Sequence, residues 1–272
     1  MHSTKLTLIG GPTVLIELDG FRLLTDPTFD PPGEYHLPHV TLRKTSTPAL
    51  GIEEVGRVDA VLLSHDQHSD NLDNSGKALL TRAGRVLTTT AGAKRLAGHA
   101  EGLKPWDAKT LTAPSGQSLT VTATPARHGP AGIEPFSGDV IGFVLSFADP
   151  QRRAIYITGD TVWYDGVADA VRRFRPGVVL LFAGSAQTRG PFHLTMDTND
   201  AIETAHACPD AVIVPVHHEG WAHFTQTAAD LESAFNALGF GKQLRLLKPG
   251  VATEIETQPL NERAVPARSA PR

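Results

Sequence analysis

A single cysteine, Cys208, stands in the 272 residues, so no disulfide can form within the chain. That composition fits a reducing cytoplasm, where structural disulfides are rare. Basic runs are also missing, and the formal net charge is −4. Binding to nucleic acid needs clustered Lys and Arg to neutralise phosphates, so nucleic acid is not the expected partner. No stretch reaches the ~18 consecutive apolar residues of a membrane span. The N-terminal MHSTKLTLIGG lacks a basic segment followed by a long apolar one, so no secretory leader is expected. Gly10-Gly11 is followed by neither a Lys-Ser/Thr pair nor a helix pattern, which excludes a phosphate loop there. Internal repeats and a dividing linker are absent as well. The expectation is one domain over residues 1–258, with a Pro-, Arg- and Ala-rich tail at 259–272 that has no periodicity and is expected to be disordered.

What the chain does have is a composition that can bury a core, 40% apolar and 20% charged. Short β-branched runs bounded by Gly, Pro and Asp predict strands at 5–9, 13–18, 21–25, 59–64, 86–89, 119–124, 141–147, 154–158, 178–182, 211–216 and 244–247. Asp19-Gly20 between two such runs predicts a hairpin turn. Helical patterns fall at 72–83, 91–99, 166–174, 197–207 and 226–238, alternating with the later strands. Residues 27–55, rich in Pro, Gly and Thr, read as a long loop, a length that usually carries function. The fold class expected from this order is α/β, hairpins first and then alternating strands and helices.

Twelve histidines are the compositional oddity. Several of them, with aspartates, stand just after predicted strands: His65, His68 and Asp70 in LLSHDQHSDNLD (62–73), His128 in TPARHG (124–129), Asp160 in TGDT (158–161) and His217 in PVHHEGWAHF (215–224). Strand C-termini of helix-covered sheets gather on one edge, where ligands bind. Any one of these residues alone reads as a turn or surface residue. Four apolar runs that each end in His or Asp read as a site for one or two divalent ions, and imidazole with carboxylate suits zinc, manganese or iron.

This series, with LLTDPTF (23–29) and HLTMD (193–197), resembles the metallo-β-lactamase-fold hydrolases. Within that superfamily it is similar to the branch that includes ascorbate-6-phosphate lactonase-like and phospholipase D-like members. The resemblance runs from about residue 5 to about residue 250. It implies a four-layer αββα sandwich with a dinuclear metal site along one edge, and zinc is the first expectation for the metal. Carried over, His65 is the first histidine of the family's HxHxDH motif and Asp70 its aspartate; His128 is the later ligand of the first site, Asp160 the bridging carboxylate, and His217 the last ligand. The motif here departs from the family's. One residue is inserted between His65 and Asp70, so the second histidine is either His68 or Gln67; His68 is favoured because only imidazole is a strong donor. Asn71 stands where the motif ends in histidine, and either helps bind the second ion or caps the following helix.

The function implied is hydrolysis of a small-molecule ester, lactone, amide or phosphodiester by a metal-activated water or hydroxide. Asp70 is the candidate to orient the water and shuttle its proton, and His193 and His218 are the candidates to touch substrate or donate a proton. Asp26 reads either as an acceptor for a metal-bound histidine or as a turn former before Pro27. His218, His223, Trp221 and Tyr164 read as pocket or structural residues, and Arg43, Lys44, Arg127 and Arg189 as sources of a phosphate clamp, with Arg127 preferred because it adjoins His128. A competing reading is a non-catalytic metal-binding or sensing module with a weakened second site. A nucleic-acid hydrolase is disfavoured by the acidic charge, and a flavin-coupled redox variant by the lack of a flavodoxin-like extension. Whether the chain forms a homo-oligomer is open from sequence.

Overall fold

The computed structural model describes residues 2–37, 40–98, 100–113 and 115–257. The tail expected at 259–272 and His99 lie outside these. The first half runs β1 (His2–Gly10), β2 (Thr13–Leu18), β3 (Phe21–Thr25), β4 (Gly33–Leu37), β5 (Val40–Lys44), α1 (Ile52–Val55), β6 (Ala60–Leu62), α2 (Asn74–Leu80), β7 (Val86–Thr89), α3 (Thr90–Leu96) and β8 (Ala100–Leu103). The second half runs β9 (Ala108–Thr112), β10 (Ser118–Pro125), α4 (Glu134–Ser137), β11 (Ile141–Phe147), β12 (Ile155–Ile157), α5 (Asp165–Phe174), β13 (Val178–Phe182), α6 (Thr198–Ala207), β14 (Val212–Val216), α7 (Ala228–Ala237) and β15 (Thr253–Thr257).

Two large sheets form, in the orders β15-β1-β2-β3-β6-β7-β8 and β14-β13-β12-β11-β10-β9, beside a two-stranded β4-β5 sheet. Side chains alternate between the two faces of a strand, and each face here has its own partner. Leu23, Leu62, Phe143, Ile157 and Leu180 point into the core between the sheets. Their neighbours Leu24, Val61 and Leu63 turn outward to meet Val55 of α1 and Leu79 and Leu80 of α2. On the other side, Val144, Tyr156, Val179 and Leu181 meet Val167 and Val171 of α5, Ala201 and Ala205 of α6, and Leu231 and Phe235 of α7. The layers are therefore helix, sheet, sheet, helix, as expected. Strands covered on both faces read as continuous apolar runs, which is why DAVLLS and VVLLF were so legible.

Strand direction places the polar clusters. The β3, β6 and β7 strands are mutually parallel, as are β12, β13 and β14. The β10 strand is antiparallel to β11, which is antiparallel to β12, so β10 and β12 run the same way. The ends of both sheets are tied together: Ile141 N donates to Ser64 O at 3.2 Å, and His217 N to Gly11 O at 2.8 Å. The Asp19-Gly20 turn has both residues at positive φ, +48° and +84°, the geometry that a two-residue hairpin with the strands' own twist requires.

Three readings are corrected. The segment 27–55 is not a bare loop; it contains the β4–β5 hairpin and the short α1. Its strands are half exposed, and their alternation, Tyr35 and Leu37 on one and Val40 and Leu42 on the other, is too brief to stand out among the flanking Pro and Gly. The run at 244–247 is not a strand; only Leu244 bridges to Ile213, at the edge of its sheet. The edge strands β8, β9 and β15 were missed because each is polar and half exposed. Among the described residues no helix is long and apolar enough to cross a membrane.

One close approach fixes α2 against the loop that leaves β3. A Cβ on Gly76 would lie 1.8 Å from the Pro27 carbonyl oxygen. In a helix interior alanine is favoured over glycine by about 1 kcal/mol. Here the clash is with backbone, which no rotamer change relieves, and overpacking costs about 1–3 kcal/mol. Gly76→Ala is expected to lower the thermal midpoint, and an unchanged or raised midpoint would contradict this packing.

Candidate metal centre

The β6 strand ends at Leu62, and Leu63-Ser64-His65 carries the chain to the sheet edge, where His65 is fully buried. Residues 65–73 then fold back in a tight turn: Asn71 N and Leu72 N both donate to His68 O. Helix α2 starts only at Asn74, capped by Asp73, whose Oδ1 accepts from Gly76 N at 2.8 Å. The inserted residue is absorbed in this turn, which swings His68 toward His65. The loops carrying His128 and Asp160 are laced together by Arg127 N to Thr161 Oγ1 at 2.9 Å and Val162 N to Arg127 O at 2.9 Å. His217 follows β14 at φ +57°, a strained conformation for a residue with a Cβ and one held where function demands it.

Two groups of donors result, and they share Asp160. His65, His68, His128 and Asp160 each offer a ligand atom, all within 4.8 Å of one another; Asp70, Asp160 and His217 form the second such group. His65 Nε2 lies 2.9 Å and His128 Nε2 3.2 Å from His68 Nδ1. His217 Nε2 lies 3.4 Å from Asp160 Oδ1 and 3.6 Å from Asp70 Oδ2. Six residues expected as ligands are thus brought together. Gln67 is turned away, donating to Ser137 O and Asp139 O and accepting from Arg95.

The hydrogen bonds fix the tautomers. Leu194 O can only accept, so His128 Nδ1 carries the proton in their 2.8 Å bond and Nε2 is bare. Ser64 Oγ donates to Asp26 Oδ1 at 2.6 Å, so the 2.8 Å contact between Ser64 Oγ and His65 Nδ1 is a donation from the imidazole. That leaves His65 Nε2 bare as well. Two lone pairs then converge on His68 Nδ1, and one proton cannot satisfy both. Asp160 Oδ2 and both nitrogens of His217 are buried without any hydrogen-bond partner. Orphaned buried polar atoms of this kind cost about 1–3 kcal/mol each, and a divalent cation would engage Asp160 Oδ2 and one nitrogen of His217 together.

Electrostatics hold the donors in the forms a cation needs. Burial pushes His65 well below the ordinary imidazole range. Burial, then the charge of His128, brings His68 down to about 4. For Asp70 burial acts upward, yet the hydrogen bond and charge of His223 and the charge of His217 outweigh it and hold the carboxyl below its usual range. Asp160 is lowered in the same way, with the charges of His217 and His128 overcoming burial. For His217 the balance reverses: burial acts downward, but the charge and hydrogen bond of Asp160 outweigh it and raise the group. Neutral imidazoles and ionised carboxylates are the metal-binding forms.

Asp26 reaches the centre through Ser64 rather than directly. It is fully buried, and burial pushes it up to about 8 against the opposing Ser64 hydrogen bond. Groups that orient a ligating histidine from behind typically contribute 10–100-fold in metal affinity. Ser64→Ala breaks the Asp26–Ser64–His65 chain and is expected to weaken zinc binding by about that factor, read by chelator competition; unchanged affinity would remove the chain's role.

Other expected residues stand elsewhere. His193 faces Asp197 and Asp200 at the start of α6, at 3.6 and 3.3 Å, and does not line the pocket beside the centre. Arg127 stacks on Tyr164, 4.6 Å from its ring centre, and donates to Gly129 O. Lys44 is buried against Asp73 at 3.0 Å. Asn71 caps no helix; its Nδ2 donates to Asp160 Oδ1 at 3.3 Å and its Oδ1 is buried without a partner. His223 was underrated: its Nε2 lies 3.0 Å from Asp70 Oδ2. Nothing in the local sequence singles it out, because the contact joins residues 153 positions apart.

The pocket over this centre holds about 220 Å³. His68, Asp70, His128 and His223 lie at one end of it. Leu42 of the β4–β5 hairpin, Ile133 and Phe136 of the α4 turn, and Leu194 make apolar walls.

A family model described as "Beta-lactamase superfamily domain" matches residues 21–218, which contain both donor groups. The "UPF0173 protein YddR" of Bacillus subtilis (strain 168) is 28% identical over 255 residues, covering 90% of this chain and 98% of its own length. A "UPF0173 metal-dependent hydrolase" of Pelotomaculum thermopropionicum is 27% identical over 217 residues, covering 75% and 85%. Among solved structures, isothiocyanate hydrolase from Delia radicum gut bacteria matches with a TM-score of 0.79 at 25% identity, over 92% of this chain and 98% of that one.

Proposed function

The chain belongs to the beta-lactamase superfamily domain family, and on that premise we propose that it is a metal-dependent hydrolase of a small molecule with an apolar body. The observation that carries this reading is the pair of donor groups sharing Asp160 at one end of an apolar pocket, with buried acceptors that nothing in the protein satisfies. Zinc is the metal proposed first, since four imidazoles and two carboxylates suit it; manganese or iron are the alternatives. The names of its relatives support the class. The reading places the enzyme in the cytoplasm, in keeping with one buried cysteine.

A bound divalent ion supplies a Lewis acid and lowers the pKa of a water from ~15.7 toward ~7. The protein's own contribution is positioning. His65 and His128 present bare Nε2 atoms toward the His68 ring, and Ser64 Oγ and Leu194 O keep those two rings from turning. Asp70 Oδ2 is held by His223. Asp70 is the residue assigned to orient the attacking water and to pass its proton to the leaving group. The apolar walls hold the electrophilic centre over that water and exclude bulk solvent. Esters, lactones and isothiocyanates present a carbon centre and phosphodiesters a phosphorus centre; the isothiocyanate enters through the structural neighbour of that name.

The test is metal content and turnover together. Protein purified without added metal, then loaded with zinc, is assayed against an ester, a lactone, a phosphodiester and an isothiocyanate. Hydrolysis of at least one, abolished by chelation and restored by zinc, is expected. Firmly bound metal without turnover on any of the four would favour the sensing module instead, and failure to take up metal would overturn both.

A further inference from the structure

Four cationic side chains approach this end of the sandwich, and three are already committed. Arg95 pairs with Asp66 and Gln67, Lys44 with Asp73, and Arg127 with Gly129 O and the Tyr164 ring. Arg189 differs. It lines the pocket on the segment between β13 and α6, is exposed, and has no hydrogen-bonded or ionic partner among the described residues. Its guanidinium lies 5.8 Å from the ring centre of Phe136 on the α4 turn. Phe136 is itself 64% exposed, which makes it the most exposed large apolar side chain described. A bare phenyl ring and a bare guanidinium thus face each other at the mouth.

Between mouth and floor the walls are apolar, and Asp70, the one acidic residue lining the pocket, is engaged by His223 and His217. One divalent ion at the floor would be balanced by the two carboxylates of the donor groups, Asp70 and Asp160, so the uncompensated positive charge of the pocket is Arg189, and low-dielectric walls strengthen its field.

We infer that the substrate is a small amphipathic anion, its carboxylate, phosphate or sulfate held by Arg189 at the mouth, its apolar part against Leu42, Ile133 and Phe136, and its reacting centre at the floor. Arg189 is the specificity-determining residue, because a planar guanidinium binds such oxyanions in a bidentate manner where an ammonium gives only a point charge. A pocket of about 220 Å³ is small beside the ~300–1,000 Å³ of most ligand sites, which limits the apolar part to a short chain or a single ring. The inference rests on the hydrolase reading for the word substrate, but the anion site can be tested by binding alone.

The probes are hexane-1-sulfonate, an anion that ligates metals poorly, and hexan-1-ol, titrated calorimetrically into the zinc-loaded full-length protein. The sulfonate is expected to bind at least about tenfold more tightly, a charge-assisted preference that Arg189→Ala reduces toward one and Arg189→Lys restores in part. In parallel, kcat/KM is compared for mono(4-nitrophenyl) glutarate and 4-nitrophenyl butyrate. A preference for the glutarate that lies in KM, and that falls in Arg189→Ala, supports the anchor. Equal binding of the two probes, or a preference that survives Arg189→Ala, would overturn it. If the sulfonate preference depends on Arg189 while neither ester is cleaved and the four-substrate panel is also silent, the anion site stands and the hydrolase reading falls.

Discussion

Asp160→Asn is expected to strip metal from both donor groups at once and to lower hydrolysis by at least ~10²–10³-fold, the scale of losing one preorganised electrostatic stabiliser. Asp160 is the residue common to both groups, with Oδ1 facing His217 and Oδ2 facing His128 at 3.5 Å. The amide keeps the shape, so packing is undisturbed, but it removes the charge and puts an NH₂ where an acceptor stood. Thermal unfolding separates this from a mere folding defect. In metal-free protein, Asp160 Oδ2 is a buried acceptor with no partner, and three buried carboxylates crowd the sheet edge. His217 and His128 hold the Asp160 carboxyl ionised, so losing its charge is expected to lower the metal-free midpoint, and the response to added metal is what separates lost binding from that general loss. Zinc is expected to raise the wild-type midpoint by mass action and to leave that of the variant unmoved. A variant that retains wild-type metal content and turnover would show that Asp160 is no ligand, and the two groups would lose their link.

Much of this architecture could be read from the chain because the strands that build the site are buried on both faces. DAVLLS, AIYIT, VVLLF and AVIVPV are legible as strands and end, one after another, in the polar clusters or beside them. Parallel and same-direction strands then carry His65, His128, Asp160 and His217 to one edge without further information. What sequence could not supply depends on contacts across the fold. The β4–β5 hairpin alternates over too few residues to be read as strands, yet its inward Leu37, Val40 and Leu42 contribute a wall of the pocket. His193 looked like a substrate contact because it stands in a motif, but its ring is taken by Asp197 and Asp200. Arg127 looked better placed than Arg189 because it adjoins His128 in sequence. Neighbouring residues on an extended segment point to opposite sides, and Arg127 turns away onto Tyr164 while Arg189 reaches the mouth.

Asn71→His is expected to raise the metal content of the chain from about one ion to about two, since it restores an imidazole to a group that is short of one. The first group has three imidazoles and a carboxylate, enough for a tetrahedral site. The second has two carboxylates and His217, and Asp160 must serve both. Asn71 stands beside it, fully buried, but presents its Nδ2 to Asp160 Oδ1 at 3.3 Å. A donor at that oxygen competes with a cation for the same lone pairs, and the amide's own acceptor, Oδ1, is left unpaired. Turning the amide over would offer Oδ1 to the second ion, but at the cost of the bond to Asp160, and a neutral amide oxygen is a weaker ligand than imidazole. Elemental analysis of wild type and variant, purified identically, decides between these arrangements. One ion in the wild type and two in the variant would mean that Asn71 sets the stoichiometry by holding Asp160. Two in both would mean that the amide turns over and ligates, so that the second group closes without a fifth imidazole.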